Sequence, residues 1–246
     1  MIDGASAITV SYAIATVGLL IGVVISIRLL TDDAVDNDRG GFLWLLVIPA
    51  FAGLSYLFMT LEIGVVEVGD NSVYLFRYID WLVTTPILVA YVGYVAGAPR
   101  KWIIAVAVAD AMMIAIGFAA TLLTGIATWI GFGVSAIFHV SLLAILYLIF
   151  PRYVSQYPER YRLFKVLQNH VGLLWLAYPL IWLASPAGVG AVSVVGTAMI
   201  IAYIDVVAKT PYVYFVWNER FAFSSEPVDP VETTDATDPG PASPAD

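Results

Sequence analysis

Apolar residues run in long, nearly unbroken stretches near 6–30, 41–63, 73–97, 101–122, 126–150, 162–185 and 189–217. Each is long enough to cross ~30 Å of hydrocarbon as a helix rising ~1.5 Å per residue. The separators are short and carry turn residues: Thr31-Asp32-Asp33 to Gly40-Gly41, Glu67 to Asn71, Gly97-Ala98-Pro99-Arg100, a Gly125 turn, Pro151 to Arg160, and Ser185-Pro186 to Gly188. Connections this short predict seven up-and-down neighbours packed as one all-α bundle over residues 1–223. The first span begins almost at residue 1, after Asp3, with no basic leader or cleavage motif, so it reads as a retained helix rather than a signal peptide.

Composition agrees with a bilayer setting. The 246 residues are 61% hydrophobic and 12% charged, where a soluble domain runs near 45–50% and 25%. With no cysteine, a disulfide framework, a thiol nucleophile and a Cys-built zinc site are excluded. Two histidines 31 positions apart, His139 and His170, make a poor start on a metal site. The formal charge of −8 is concentrated at one end: six of the 19 acids lie in residues 224–246, which contain no Lys or Arg. That segment also holds five prolines among Ser, Thr and Gly, which predicts a disordered acidic tail, and nothing favours nucleic acid as a partner.

Nine of the eleven basic residues fall after spans 1, 3, 5 and 7: Arg28, Arg39, Arg100, Lys101, Arg152, Arg160, Arg162, Lys165 and Arg220. Because Lys and Arg near span ends stay on the cytoplasmic side, the N-terminus is expected outside and the tail inside, in a multi-pass protein of the cell membrane. The remaining two, Arg77 and Lys209, lie deep within spans 3 and 7.

Ionisable groups at bilayer depth cost several kcal/mol unless paired, so each marks a candidate site. Asp205 and Lys209 are one turn apart on span 7, while Arg77, Asp80 and Thr84 share a face of span 3 at i, i+3 and i+7. A buried salt-bridge knot joining two helices is one reading of this cluster. The other is chemical: a desolvated lysine is a good amine nucleophile and condenses with an aldehyde to a Schiff base. A long polyene aldehyde would need a carboxylate counterion, an apolar slot and flat aromatic walls. The chain offers Trp81 beside Asp80, and Trp175, Tyr178 and Trp182 on one face of span 6.

Three segments carry a resemblance: Arg77-Tyr-Ile-Asp80-Trp81-Leu-Val-Thr84-Thr-Pro86, Trp175-Leu-Ala-Tyr178-Pro179 and Asp205-Val-Val-Ala-Lys209. In order and content they resemble the signature segments of the microbial (archaeal) rhodopsins, over about residues 5–220. The resemblance implies all-trans retinal on Lys209 as a protonated Schiff base, and Asp80 and Asp205 in a counterion complex with Arg77 and Thr84. It also implies Trp81, Trp175, Tyr178 and Trp182 along the polyene, and Tyr56 beside Asp205. Asp110, Met113 and Gly117 match positions near the ring end of the chromophore.

Within that family the residues separate pumps from receptors. The cytoplasmic proton donor of an outward pump lies three turns from the counterion on the same face, and here that position is Tyr91. A phenol with a reference pKa near ~10 is a poor donor. The paired glutamates of extracellular proton release have no counterpart, since 185–200 contains no acid, and Asp80 stands where chloride pumps carry threonine. The segments Pro49 to Tyr56, Asn169-His170 to Trp175 and Ala208 to Phe215 are similar to sensory rhodopsin I, a haloarchaeal phototaxis receptor. In that family a histidine at the place of His170 takes part in photocycle proton movement and transducer coupling.

The resemblance thus implies a photoreceptor rather than an enzyme. Its partner would be a two-helix chemotaxis-type transducer against spans 6 and 7. Tyr203 matches a transducer-contacting tyrosine, and the small residues of 187–198 allow close backbone approach. A homo-oligomer and a receptor–transducer dimer both stay open, as does the rival activity, a slow light-driven outward proton pump. His139 is read as an interfacial or inter-helix hydrogen-bonding residue, with an anion or protonation site as the alternative, and Glu62 as solvated by the headgroup region at the extracellular end of span 2.

Overall fold

The computed structural model describes residues 4–32, 39–68 and 71–223. Among them are seven helices long and apolar enough to cross a membrane: α1 (Gly4–Leu30), α2 (Arg39–Thr60), α3 (Leu75–Val95), α4 (Arg100–Thr121), α5 (Ile126–Val154), α6 (Pro158–Ala184) and α7 (Val194–Asn218). A short 3-10 turn, Arg220–Phe223, follows α7. The acidic segment 224–246 lies outside the described residues.

Two elements differ from the sequence expectation. The separator read at Glu67 to Asn71 is the centre of an antiparallel hairpin, β1 (Val65–Val68) with β2 (Asn71–Tyr74), in which Val65 faces Tyr74 and Glu67 faces Ser72. Its flanks are β-branched and aromatic, the residues that suit a pleated ribbon, and they merge with apolar spans that masked them in a 19-residue window. The other difference is in α5, which continues to Val154 through a π-helical stretch at Ile145–Ile149. The wider turn absorbs an extra residue. The carbonyl of Leu146 accepts 2.7 Å from Nε2 of the fully buried Gln168 on α6.

Helices adjacent in sequence pack side by side, α7 returns to close against α1, and α3 crosses the interior to touch α6. Lipid-facing positions are apolar and exposed, among them Ile14, Ile104, Ile137 and Leu180, as a bundle surrounded by hydrocarbon requires. Two apolar clusters fill the interior. One gathers Leu29, Phe42, Leu88, Phe150, Phe164 and Val213, and the other Ile8, Tyr12, Leu19, Tyr56, Met59 and Ala202. Along α3 and α7 the residues between these clusters are polar: Asp80, Thr84, Asp205 and Lys209 are all at most 1% exposed.

Close packing around the first cluster leaves no slack at Gly93. A Cβ there would lie 2.6 Å from Cζ of the fully buried Phe150 and 3.1 Å from Cγ1 of Ile103. Gly93→Ala is therefore expected to cost about 1–3 kcal/mol, the usual range for overpacking. A thermal unfolding midpoint equal to that of the parent chain would show that Phe150 yields.

Candidate functional site

α3 and α7 lie on opposite sides of the polar layer and supply its charges. Lys209 Nζ donates to Oδ2 of Asp80, a buried ion pair with both side chains out of reach of solvent. Thr84, one turn along α3, donates its hydroxyl to Oδ1 of the same carboxylate at 3.0 Å and to the Asp80 carbonyl at 2.9 Å. This fixes the carboxylate plane so that one oxygen faces the lysine.

Asp205, one turn from Lys209, is saturated as an acceptor. Tyr56 OH of α2 donates at 2.6 Å, Trp81 Nε1 of α3 reaches both oxygens at 3.0 and 3.1 Å, and Tyr178 OH of α6 donates to Oδ1. Four helices thereby converge on one carboxylate. Arg77 does not join them: its Nη2 donates to Tyr12 OH at 2.6 Å, and no hydrogen bond from it to Asp80 or Asp205 is found among the described residues. The Coulomb pull of Asp205 was visible in the sequence; the competing acceptor on α1 was not.

Beside the polar layer is a cavity of about 320 Å³ whose wall includes Trp81, Met113, Gly117, Trp175, Tyr178 and Trp182. Its size falls at the lower end of small-molecule sites. Trp182 stacks on Phe132 with ring centroids 4.4 Å apart and planes 11° apart, and Trp81 meets Tyr178 edge to face at 5.1 Å. Thr84 and Lys209 are not among the lining residues; they belong to the charged layer next to it.

Residues of the cavity wall are held by, or joined by, groups that the charge pattern did not single out. Asp110 of α4, fully buried, accepts from Thr85 Oγ1 at 2.5 Å and from Trp175 Nε1 at 2.8 Å, and so ties α4 to α3 and α6. Thr85 lies next to Thr84 on a different helical face, and only the position of α4 reveals its use. His139, read as a hydrogen-bonding residue, lines the same cavity with Nδ1 3.2 Å from Met113 Sδ. Ser135 Oγ donates to the Met113 carbonyl at 2.8 Å.

The remaining candidates lie further out. His170 is half-buried, with Nε2 3.2 Å from the carbonyl oxygen of Ala208, the peptide adjoining Lys209, and its ring 5.3 Å from that of Phe215. Tyr91 is 4% exposed within the first apolar cluster. Tyr203 is 70% exposed, on the outer surface of α7.

A buried primary amine paired with a carboxylate, next to an aromatic-walled apolar cavity on a seven-helix frame, is an arrangement with relatives. The family model for bacteriorhodopsin-like proteins matches residues 6–223. Sensory rhodopsin-1 of Halobacterium sp. (strain SG1) is 48% identical over 244 residues, covering 98% of this chain and 99% of that protein. Sensory rhodopsin of Halorubrum sodomense is 50% identical over 217 residues, 88% of this chain and 85% of that one. Among solved structures, the thermophilic rhodopsin from Rubrobacter xylanophilus superposes with a TM-score of 0.84 at 28% identity, covering 88% of this chain and 97% of that one. Shared sequence over nearly the full length and a shared fold lead to one conclusion: the chain belongs to the bacteriorhodopsin-like protein family.

Proposed function

We propose that this protein is a phototaxis photoreceptor of the sensory rhodopsin I type, a multi-pass protein of the cell membrane that carries all-trans retinal on Lys209. The observation that carries the reading is the Lys209–Asp80 pair beside the aromatic cavity, in a chain about half identical to sensory rhodopsin-1. The residues present fit the group. Lys209 is the amine to which it would be linked, Trp81, Trp175, Tyr178 and Trp182 would flank it, and Met113 and Gly117 would border its ring. When bound, retinal supplies visible absorption and a light-driven change of shape beside the Lys209 nitrogen.

The protein's own groups then handle charge and motion. Asp80, aimed at the lysine nitrogen and held by Thr84, is the nearest carboxylate to take a proton from it. Asp205 keeps its three donors and serves as the fixed partner. Displacement at Lys209 passes through the Ala208 carbonyl to His170, and from there into α6. We place the N-terminus outside and the acidic segment 224–246 in the cytoplasm, on the distribution of basic residues. A two-helix transducer would lie against α6 and α7, where Tyr203 presents an exposed phenol. A receptor needs a long-lived active conformer that shifts a partner's equilibrium, whereas a pump needs turnover.

Flash photolysis of the retinal-loaded protein in membranes tests this. A blue-shifted state decaying over seconds is expected, and Tyr91→Asp, which puts a carboxyl where pumps have their donor, is expected to shorten it by at least about tenfold. A millisecond cycle with sustained proton export in the parent chain would turn the reading to a pump. Absence of any visible band would remove the photoreceptor altogether.

A further inference from the structure

Arg77 is held by aromatic groups from two other elements. Tyr12 of α1, fully buried, accepts from Nη2 at 2.6 Å, and its ring centroid is 5.7 Å from the guanidinium carbon. Tyr74, the last residue of β2, presents its ring at 5.6 Å. The two rings meet edge to face at 5.2 Å, and Tyr12 meets Tyr56 the same way at 5.7 Å. Tyr56 is the phenol that donates to Asp205. A chain of contacts therefore runs from the arginine through Tyr12 and Tyr56 to the carboxylate, while the arginine makes no direct bond to it.

This is an unusual resting place for a long cation with two carboxylates nearby. A guanidinium matches a carboxylate in a two-pronged geometry, and in a low-dielectric layer that attraction is strong. The groups that act on Arg77 include Tyr12 from α1, Tyr56 from α2, Tyr74 from β2, Tyr78 from α3, Tyr178 from α6 and Asp205 from α7, with Asp80 and Lys209 forming the adjacent pair. Tyr74 is also within electrostatic reach of the carboxylates of Glu62 and Glu67. Hydroxyl acceptance and two ring faces oppose the inward pull.

We infer that Tyr12, assisted by the ring of Tyr74, is a positioning residue for the light-driven proton transfer: it clamps Arg77 outward and so limits the positive charge felt by Asp80 and Asp205. The inference rests on the photoreceptor reading. Its sign follows from Coulomb's law: an arginine released from the clamp moves toward the carboxylates and favours their ionised forms.

The test is a spectrophotometric titration of retinal-loaded protein in membranes, together with ¹⁵N spectra of arginine-labelled protein prepared without retinal. Tyr12→Phe, which keeps the ring and removes the acceptor, is expected to move the pH of the colour transition down by about one unit. Tyr74→Leu is expected to move it less, in the same direction. In an Arg77→Gln background, Tyr12→Phe should have no further effect, and the resonance that Arg77→Gln removes should shift in Tyr12→Phe. An unmoved Arg77 resonance, or an equal titration shift with and without Arg77, overturns the clamp alone. A parent chain that forms no pigment overturns the photoreceptor reading and this inference with it.

Discussion

Lys209→Ala is expected to yield a protein with no visible band at any retinal concentration. The chain has three lysines, and the other two are poorly placed: Lys101 is exposed at the start of α4, and Lys165 donates to Gln168 at 2.9 Å. Loss of the amine also strands Asp80, because the desolvation of a buried carboxylate is no longer offset by its partner. Breaking a buried pair from one side costs about 3–5 kcal/mol. A colourless Lys209→Ala protein could thus be colourless through misfolding, and the double variant Lys209→Ala/Asp80→Asn separates the two causes. It removes both charges, leaves Thr84 a partner, and is expected to match the parent chain in thermal stability of the retinal-free form while still failing to form pigment. A coloured Lys209→Ala protein without added amine would sink the covalent assignment.

The second large effect is expected at Asp205. Asp205→Ala leaves Tyr56 OH, Trp81 Nε1 and Tyr178 OH without the carboxylate that accepts from each of them. An orphaned buried donor costs about 1–3 kcal/mol, so three of them remove several kcal/mol from a total that in most proteins is only about 5–15. Asp205→Ala is therefore expected to fold poorly in detergent and to recover little pigment. Asp205→Asn keeps an amide oxygen for two of the three donors but turns an N–H toward the third, so an intermediate loss is expected. Thermal unfolding of the three proteins side by side measures the order. An alanine variant as stable as the parent would mean that the three donors find other partners, and that the carboxylate does not organise the four helices.

Much of the frame and the charged layer was legible beforehand because a bilayer penalises few things so heavily. A run of apolar residues has no alternative to a helix, and an ionisable residue inside such a run needs a reason. Spacing alone placed Asp80 beside Thr84 and Asp205 one turn from Lys209. What spacing could not provide was the rotation of one helix against another. Tyr12 looks like any aromatic residue in the first span, and only the packing of α1 against α2 and α7 brings its hydroxyl to Arg77. Asp110 carried a signal, a carboxyl in the middle of an apolar span, yet its bonds to Thr85 and Trp175 depend on how α4 leans on α3. The hairpin at 65–74 was hidden for a different reason: four-residue strands are too short to register against flanking apolar spans.

The π-helical stretch of α5 has a mechanical consequence. Its Leu146 carbonyl and the Gln168 amide hold each other at one height, so α6 cannot slide along α5 without leaving two buried polar groups unsatisfied. Tilting about Gln168 is opposed on the cavity side by the bonds of Trp175 to Asp110 and of Tyr178 to Asp205, so Gln168 acts as a fulcrum loaded on that arm. From it α6 extends to Pro158 on one side and Ala184 on the other, arms of roughly 15 and 24 Å at ~1.5 Å per residue. The longer arm runs past His170 and the Trp175 wall, and the shorter one ends at the 150s loop. A rotation of about 10° imposed where the long arm meets the cavity would carry the far end of the short arm by about 2.5 Å, by lever geometry on those lengths. Trp175 lies seven residues, about 10 Å, from Gln168, so the far end of the short arm travels about one and a half times as far as the Trp175 wall itself.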